Sequence, residues 1–287
     1  MSWISNAIGD WFKEILIDGI TSRFTGVFDA VNQEIGEIAG QVGQTPEGWN
    51  SSVFSLIRNL SETVVIPVAG MILTFVLCYE LITMVIEKNN MAEFDTFNVF
   101  KWIFKTFVAT YILTHTFDIV MGIFGLAQHV VNGSAGVIGG SLDVNLSLAE
   151  LAEQLEGMGV GELFGLYLES FILSLAMSAI SLCVFIIVYG RMIEIYMTCS
   201  IAPIPFSTMV NREWGHIGNS YLKSLFALAF QGFLIMVCVA IYAALLQTVT
   251  ASASVHAAIW RCAGYTVLLC FTLFKTGSLS KAIFGSH

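Results

Sequence analysis

Five side chains that ionise or hydrogen-bond strongly fall inside otherwise apolar stretches: Glu80, His115, Asp118, Glu169 and Gln231. Such groups cost free energy where water cannot solvate them, so within a bilayer they mark proton or cation paths or hydrogen-bonded helix contacts. His115 and Asp118 are three residues apart and share one helix face, which suits a hydrogen-bonded pair and, beyond it, a proton relay. The structural use of the same groups is to bond between helices or to sit at headgroup depth. Asp118 and Glu169 lie toward the outer ends of their stretches, which favours an acidic rim over a relay through the middle. Ser170, Ser174 and Ser178, spaced by four with Ala179 and Ser181 beside them, form a small-residue stripe. It permits close helix packing, and the same hydroxyls could instead line a wet passage.

Covalent chemistry is not indicated. The sequence contains no G-x-x-x-x-G-K-[ST], no H-E-x-x-H and no G-x-S-x-G, the patterns that cradle phosphates, bind catalytic zinc or present a serine nucleophile. Lys275-Thr276-Gly277 and Ser278-Leu279-Ser280-Lys281 imitate penicillin-binding motifs, but they crowd together near the end of the chain. The six cysteines Cys78, Cys183, Cys199, Cys238, Cys262 and Cys270 fall in or beside apolar segments without a C-x-x-C pair. They are expected to be free buried thiols, with no metal and no cofactor. A net charge of −9 argues against a broad basic surface that grips nucleic acid.

The elements that must position these residues are membrane helices. Apolar runs cover 63–86, 103–127, 166–188, 225–246 and 257–274, in a chain that is 56% hydrophobic and 11% charged. Most exceed the ~20 residues needed to cross ~30 Å of hydrocarbon, and the last just reaches that length. Runs this long with no alternation are helices, because lipid leaves no partner for an unpaired backbone group. The fold class expected is an all-α membrane protein with about five transmembrane helices.

Positive charge is retained on the cytoplasmic side. Lys88 and Lys101 lie between the first two runs with Lys105 at the start of the second, Arg191, Arg212 and Lys223 lie between the third and fourth, and Lys275 and Lys281 after the fifth. Segment 128–162 has no Lys or Arg but carries Asp143, Glu150, Glu153, Glu156 and Glu162, and 250–256 has no basic residue. The N-terminus is thus expected outside and the C-terminus in the cytoplasm, with Arg261 alone out of place. A further run at 192–210 is rejected as a span, because crossing there would reverse this order. It also holds Glu194, Pro203 and Pro205, and prolines break helix hydrogen bonding. A cytoplasmic or re-entrant elbow is expected instead.

The organisation that follows is an extracytoplasmic amphipathic helical region and linker at 1–60, then two spans with a basic loop at 61–127 and an acidic outer segment at 128–162. A third span at 163–189, the Pro-containing elbow at 190–223, two further spans at 224–275 and a cytoplasmic tail at 276–287 complete it. Within 1–60, apolar residues from Ile4 to Ile38 recur every three or four positions against an acidic polar face, the pattern of a long helix or helical hairpin. It is expected to lie flat on the outer surface, or to pack against copies of itself or a partner through Trp3, Trp11 and Phe12. In the outer segment, Ser147 and Glu150 fit a capping box, Leu148, Leu151 and Leu155 make an apolar stripe, and Gly157 can end the turn.

An outside N-terminal region, five spans, an outer segment between the second and third, an inner C-terminus and the string Ala202-Pro203-Ile204-Pro205-Phe206, followed by Trp214 and a long apolar helix from Tyr221, resemble the TrbL-type membrane subunit of conjugative type IV secretion systems. The likeness is closer to versions on mobile elements of Gram-positive bacteria. It covers most of the chain from about residue 55, with an outer segment shorter than is usual in the family. It implies a non-enzymatic cell-membrane channel or scaffold component, a homo-oligomeric ring that contacts lipid, other secretion subunits and their ATPases, and transiently single-stranded DNA or a relaxase. A stand-alone transporter or ion channel is the alternative. That reading would call for inverted repeats and paired broken helices, and neither is visible in the sequence.

Overall fold

The computed structural model describes residues 2–87, 96–138, 153–249 and 255–286, and among them every regular element is a helix. In chain order these are α1 (Ser2–Val42), α2 (Pro46–Trp49), α3 (Ser51–Leu60), a π-helical turn at Ser61–Val65, α4 (Ile66–Glu87), α5 (Thr96–Thr114), α6 (Thr116–Ile138), α7 (Val160–Ile201), α8 (Pro203–Thr208), α9 (Gly215–Val249) and α10 (Val255–Phe284). The expected capping box at Ser147 and Glu150 lies outside the described residues. The helical turn after it, 153–156, contains a fully buried Leu155. The side chain of Trp3 is likewise outside them.

Among the described residues four runs are long and apolar enough to cross a membrane: Ser51–Ile86, Val160–Ile201, Gly215–Val249 and Val255–Phe284. The pair Phe97–Thr114 and Thr116–Ser134, bent by 67°, makes a fifth where it is a single span. The run Ser51–Ile86 passes through the π-turn, which ends two residues before Pro67. Proline offers no N–H to the preceding turn and its ring crowds a carbonyl there, so a locally widened helix lets the chain continue.

The chain forms two compact units. The first takes the described residues of 1–42, 131–188 and 233–276. Here α1 buries Leu16, Ile20, Phe24, Val27, Val31, Ile35 and Ile38, one stripe at the three-to-four spacing of an amphipathic helix. That stripe is covered within the same chain, whereas Trp11 and Phe12 are exposed. Lys13 Nζ donates to Glu156 O (2.6 Å) just ahead of α7, and Arg23 reaches Tyr167 and Ser170 on it. The guanidinium lies 4.0 Å from the Tyr167 ring centre and donates to its hydroxyl at 2.8 Å. The end of α9 and start of α10 belong to this unit, where the Tyr242 and Thr266 hydroxyls bond at 3.1 Å.

The second unit takes 43–130, 189–232 and 277–287, as far as they are described. Its core joins Phe54 of α3, Phe117, Val120 and Phe124 of α6, Met192, Ile195 and Tyr196 of α7, Phe206 of α8 and Leu225 of α9. Tyr196 donates its hydroxyl to Pro46 O at 2.6 Å, which fixes the short α2. The bent pair is bonded to preceding segments at three points: Trp102 donates to Leu77 O, Arg58 donates to Asp118, and Gln128 donates to Gly43 O.

The bend has no glycine or proline at its apex. Thr114 donates to the carbonyls of Thr110 and Tyr111, His115 Nδ1 bonds Tyr111 O, and Thr116 donates to Ile112 and Leu113. Three consecutive side chains thus insert into the helical ladder, a recognised cause of helix bending. Helix α7 passes residue 190 without interruption and, at 42 residues, is about 63 Å long.

Candidate functional site

The elbow begins where Pro203 and Pro205 withdraw two N–H groups from the helical ladder. Cys199 O accepts instead from Ala202 N (3.3 Å), and Ala202 O from Phe206 N (3.3 Å). Ala202, Pro203 and Pro205 are all buried. After α8 the chain turns about Asn211, whose side-chain oxygen accepts from Glu213 N (2.7 Å) and Trp214 N (3.1 Å). Trp214 then stacks on Tyr79 and Phe75 of α4, with ring centres 5.1 and 5.8 Å away. The first turn of α9 lies so close that a Cβ at Gly218 would run into the Met209 side chain and come within 2.6 Å of Pro205 O.

The elbow, α4 and α5 enclose a cleft of about 590 Å³. From α4 it receives Tyr79, Glu80 and Thr83, from α5 Lys101, Trp102 and Lys105, and from the turn Arg212 and Glu213. The α5 residues come from successive turns of one face, which is why they line the cleft together. Lys105 pairs with one Glu80 oxygen, while the other Glu80 oxygen is buried with no partner among the described residues. Glu213 accepts from the Tyr79 hydroxyl at 3.1 Å, and the Trp102 indole donates to Leu77 O at 3.3 Å. Lys101 and Arg212 are exposed and have no ion-pair partner among the described residues.

A buried polar layer lies elsewhere in the second unit. Arg191, 7% exposed, donates from Nε to Leu228 O (3.4 Å) and from its terminal nitrogen to Ala229 O (3.3 Å). Ser280 of α10 donates to the neighbouring carbonyl of Ala227. Three successive carbonyls of α9 therefore each take a side-chain donor. One turn along lies Gln231, 9% exposed, and α10 passes it at Gly277, where a Cβ would be 3.3 Å from Gln231 Nε2.

The remaining candidates separate. His115 and Asp118 turn to different partners: His115 to Tyr111 O within the bend, Asp118 to Arg58 at 3.5 Å, which also pairs with Glu62 at 2.8 Å. Glu169 bonds His256 Nδ1 at 2.8 Å in the first unit. Ser170 is buried beside Arg23, Ser174 is half-buried, and Ser178 is exposed and bonds back to Ser174 O. Of the predicted site residues, only Glu80 and the elbow come together, around the cleft. Sequence reasoning did not find Arg191 as a buried group, because its charge placed it in a loop. Nor did it find Arg23 as the residue that seats α1, although a lone arginine on an acidic helix is a visible signal. Among the described residues no cluster of His, Cys, Asp and Glu is arranged to hold a metal ion.

A family model described as TrbL/VirB6 plasmid conjugal transfer like protein matches residues 31–203, from the later turns of α1 to the first proline of the elbow. No curated protein and no solved structure matches the chain.

Proposed function

The chain belongs to the TrbL/VirB6-like plasmid conjugal transfer family, and from that premise we propose that it is a non-enzymatic channel or scaffold subunit, assembled as a homo-oligomeric ring. It is a multi-pass cell-membrane component of a conjugal transfer apparatus. The observation that supports the finer reading is the reach of the family match, which takes in Ser51–Ile86, the bent pair and nearly all of Val160–Ile201 and ends at the first proline of the elbow. In this reading the elbow faces the cytoplasmic ATPases, and the acidic 128–162 segment faces outward.

The arrangement of charges supports this topology. Residues expected at the outer side pair with one another, Lys13 with Glu156, Glu169 with His256, and Arg58 with Asp118. Residues expected at the inner side do likewise, Lys105 with Glu80, Arg212 at the same cleft, and Lys281 with Glu194 at 3.2 Å. Exposed apolar side chains such as Leu56, Met71 and Phe75 along Ser51–Ile86, and Phe100, Phe104 and Phe107 on α5, supply surface for lipid and for neighbouring copies.

Purification in mild detergent or nanodiscs, with native mass spectrometry and electron microscopy, tests the ring. A symmetric particle several times the 31.4 kDa protomer is expected. A stable monomer would remove the ring and put a solitary transporter in its place.

A further inference from the structure

We propose that the cleft between α4, α5 and the elbow is a binding site for the phosphate of an anionic phospholipid with a hydroxyl-bearing headgroup, of the phosphatidylglycerol type. The inference rests on the chain's membrane location and is independent of the ring reading. Three cations and two carboxylates line the cleft, and one of those carboxylates is neutralised by Lys105. Lys101 and Arg212 remain exposed and unpaired among the described residues. Their charges enter from two different elements, α5 and the turn after α8, which suits a single tetrahedral anion held between them. Arg212 can meet it with two parallel N–H donors and Lys101 as a point charge.

Two further features select a lipid over other phosphates. Trp102, Trp214 and Tyr79 border the cleft or the elbow beside it. Aromatic side chains with one polar tip collect at the level of lipid headgroups, and basic pockets between membrane helices take anionic headgroups at that level. The helices that carry the charged lining also present apolar side chains on their other faces: Ile82 and Ile86 on α4, and Phe100 and Phe104 on α5, are all more than half exposed. The cleft is thus flanked by helices built to meet acyl chains, which suits a lipid phosphate better than a free ion or a nucleic-acid strand. Glu213, held by the Tyr79 hydroxyl, offers a carboxylate to headgroup hydroxyls.

Native mass spectrometry of the full chain titrated with phosphatidylglycerol or phosphatidylcholine tests this. A saturable first phosphatidylglycerol is expected, weakened about tenfold or more, a loss of at least ~1.4 kcal/mol, by Lys101→Gln with Arg212→Gln. Lys101→Arg with Arg212→Lys should retain it. The charge-matched pair Lys223→Gln with Arg261→Gln, exposed and outside the cleft, should leave it unchanged. Circular dichroism and size exclusion confirm that each variant is folded. Equal weakening by both glutamine pairs, or by neither, would overturn the site. Displacement of the lipid by equimolar inorganic phosphate would reassign it to a free ion. Oligodeoxynucleotide binding that the Lys101/Arg212 pair loses, with lipid binding intact, would reassign it to nucleic acid.

Discussion

Two arginines show how much a single side chain decides here. Arg191 is buried among apolar helices, and the groups it bonds are backbone carbonyls of α9. An arginine stem packs like an aliphatic chain while the guanidinium satisfies acceptors. Arg191→Glu sets a carboxylate against Leu228 O and Ala229 O, acceptor facing acceptor, so membrane-inserted, monodisperse protein should fall severely in fluorescence-detected size exclusion. Arg191→Met, which keeps the stem and leaves those carbonyls their helical bonds, should retain most of it. Arg23 acts differently, since it holds one helix onto another. Arg23→Ala removes a cation–π contact and its hydrogen bonds to Tyr167, about 1–2 kcal/mol. Tyr167→Phe removes the hydroxyl alone and should cost less than half as much. A double-mutant cycle of the two changes, read by thermal unfolding, should give a coupling near the Tyr167→Phe value, because the guanidinium–hydroxyl bond is the contact both remove.

At the scale of elements, the interruptions carry the individuality of the chain. The bend between α5 and α6 is produced by Thr114, His115 and Thr116 bonding the preceding carbonyls, so Thr114→Val with His115→Ala and Thr116→Val should straighten it. Spin labels at Phe104 and Leu126, both exposed, would then move apart in a dipolar distance measurement. An unchanged distance would place the cause of the bend in tertiary packing. The elbow depends on a close approach: Gly218→Ala cannot be accommodated without moving Met209 and the backbone at Pro205. It should loosen the stack of Trp214 on Tyr79, with a red-shifted tryptophan emission and a loss of about 1–3 kcal/mol. Neither interruption reads equally well in the sequence. Pro203 and Pro205 announce a break, because missing N–H groups are written in the residue type. Thr114 and Thr116 do not, because a threonine in an apolar run is equally at home in a straight helix.

For the molecule as a whole, the spans were legible in the sequence. Run length and the absence of Lys and Arg from 128–162 are one-dimensional signals. Depth along a helix is not, which is why Arg191 was read as part of a loop while α7 carries it on to Ile201. The same holds for the cleft: Lys101, Lys105 and Arg212 were visible as charges, but their convergence depends on the elbow folding back on α4 and α5. Sidedness is open to direct measurement. In a cysteine-free background, Asp10→Cys should react with an impermeant maleimide on intact protoplasts, and Arg212→Cys only after permeabilisation. The opposite pattern would invert the assigned orientation.

The length of α7 has a mechanical consequence. An unbroken helix of about 63 Å is roughly twice the thickness of the hydrocarbon, so it must tilt strongly or carry several turns past the lipid. The turns that lead into the elbow are gripped at Met192, Ile195, Tyr196 and Cys199, so they and the elbow move as one stiff piece.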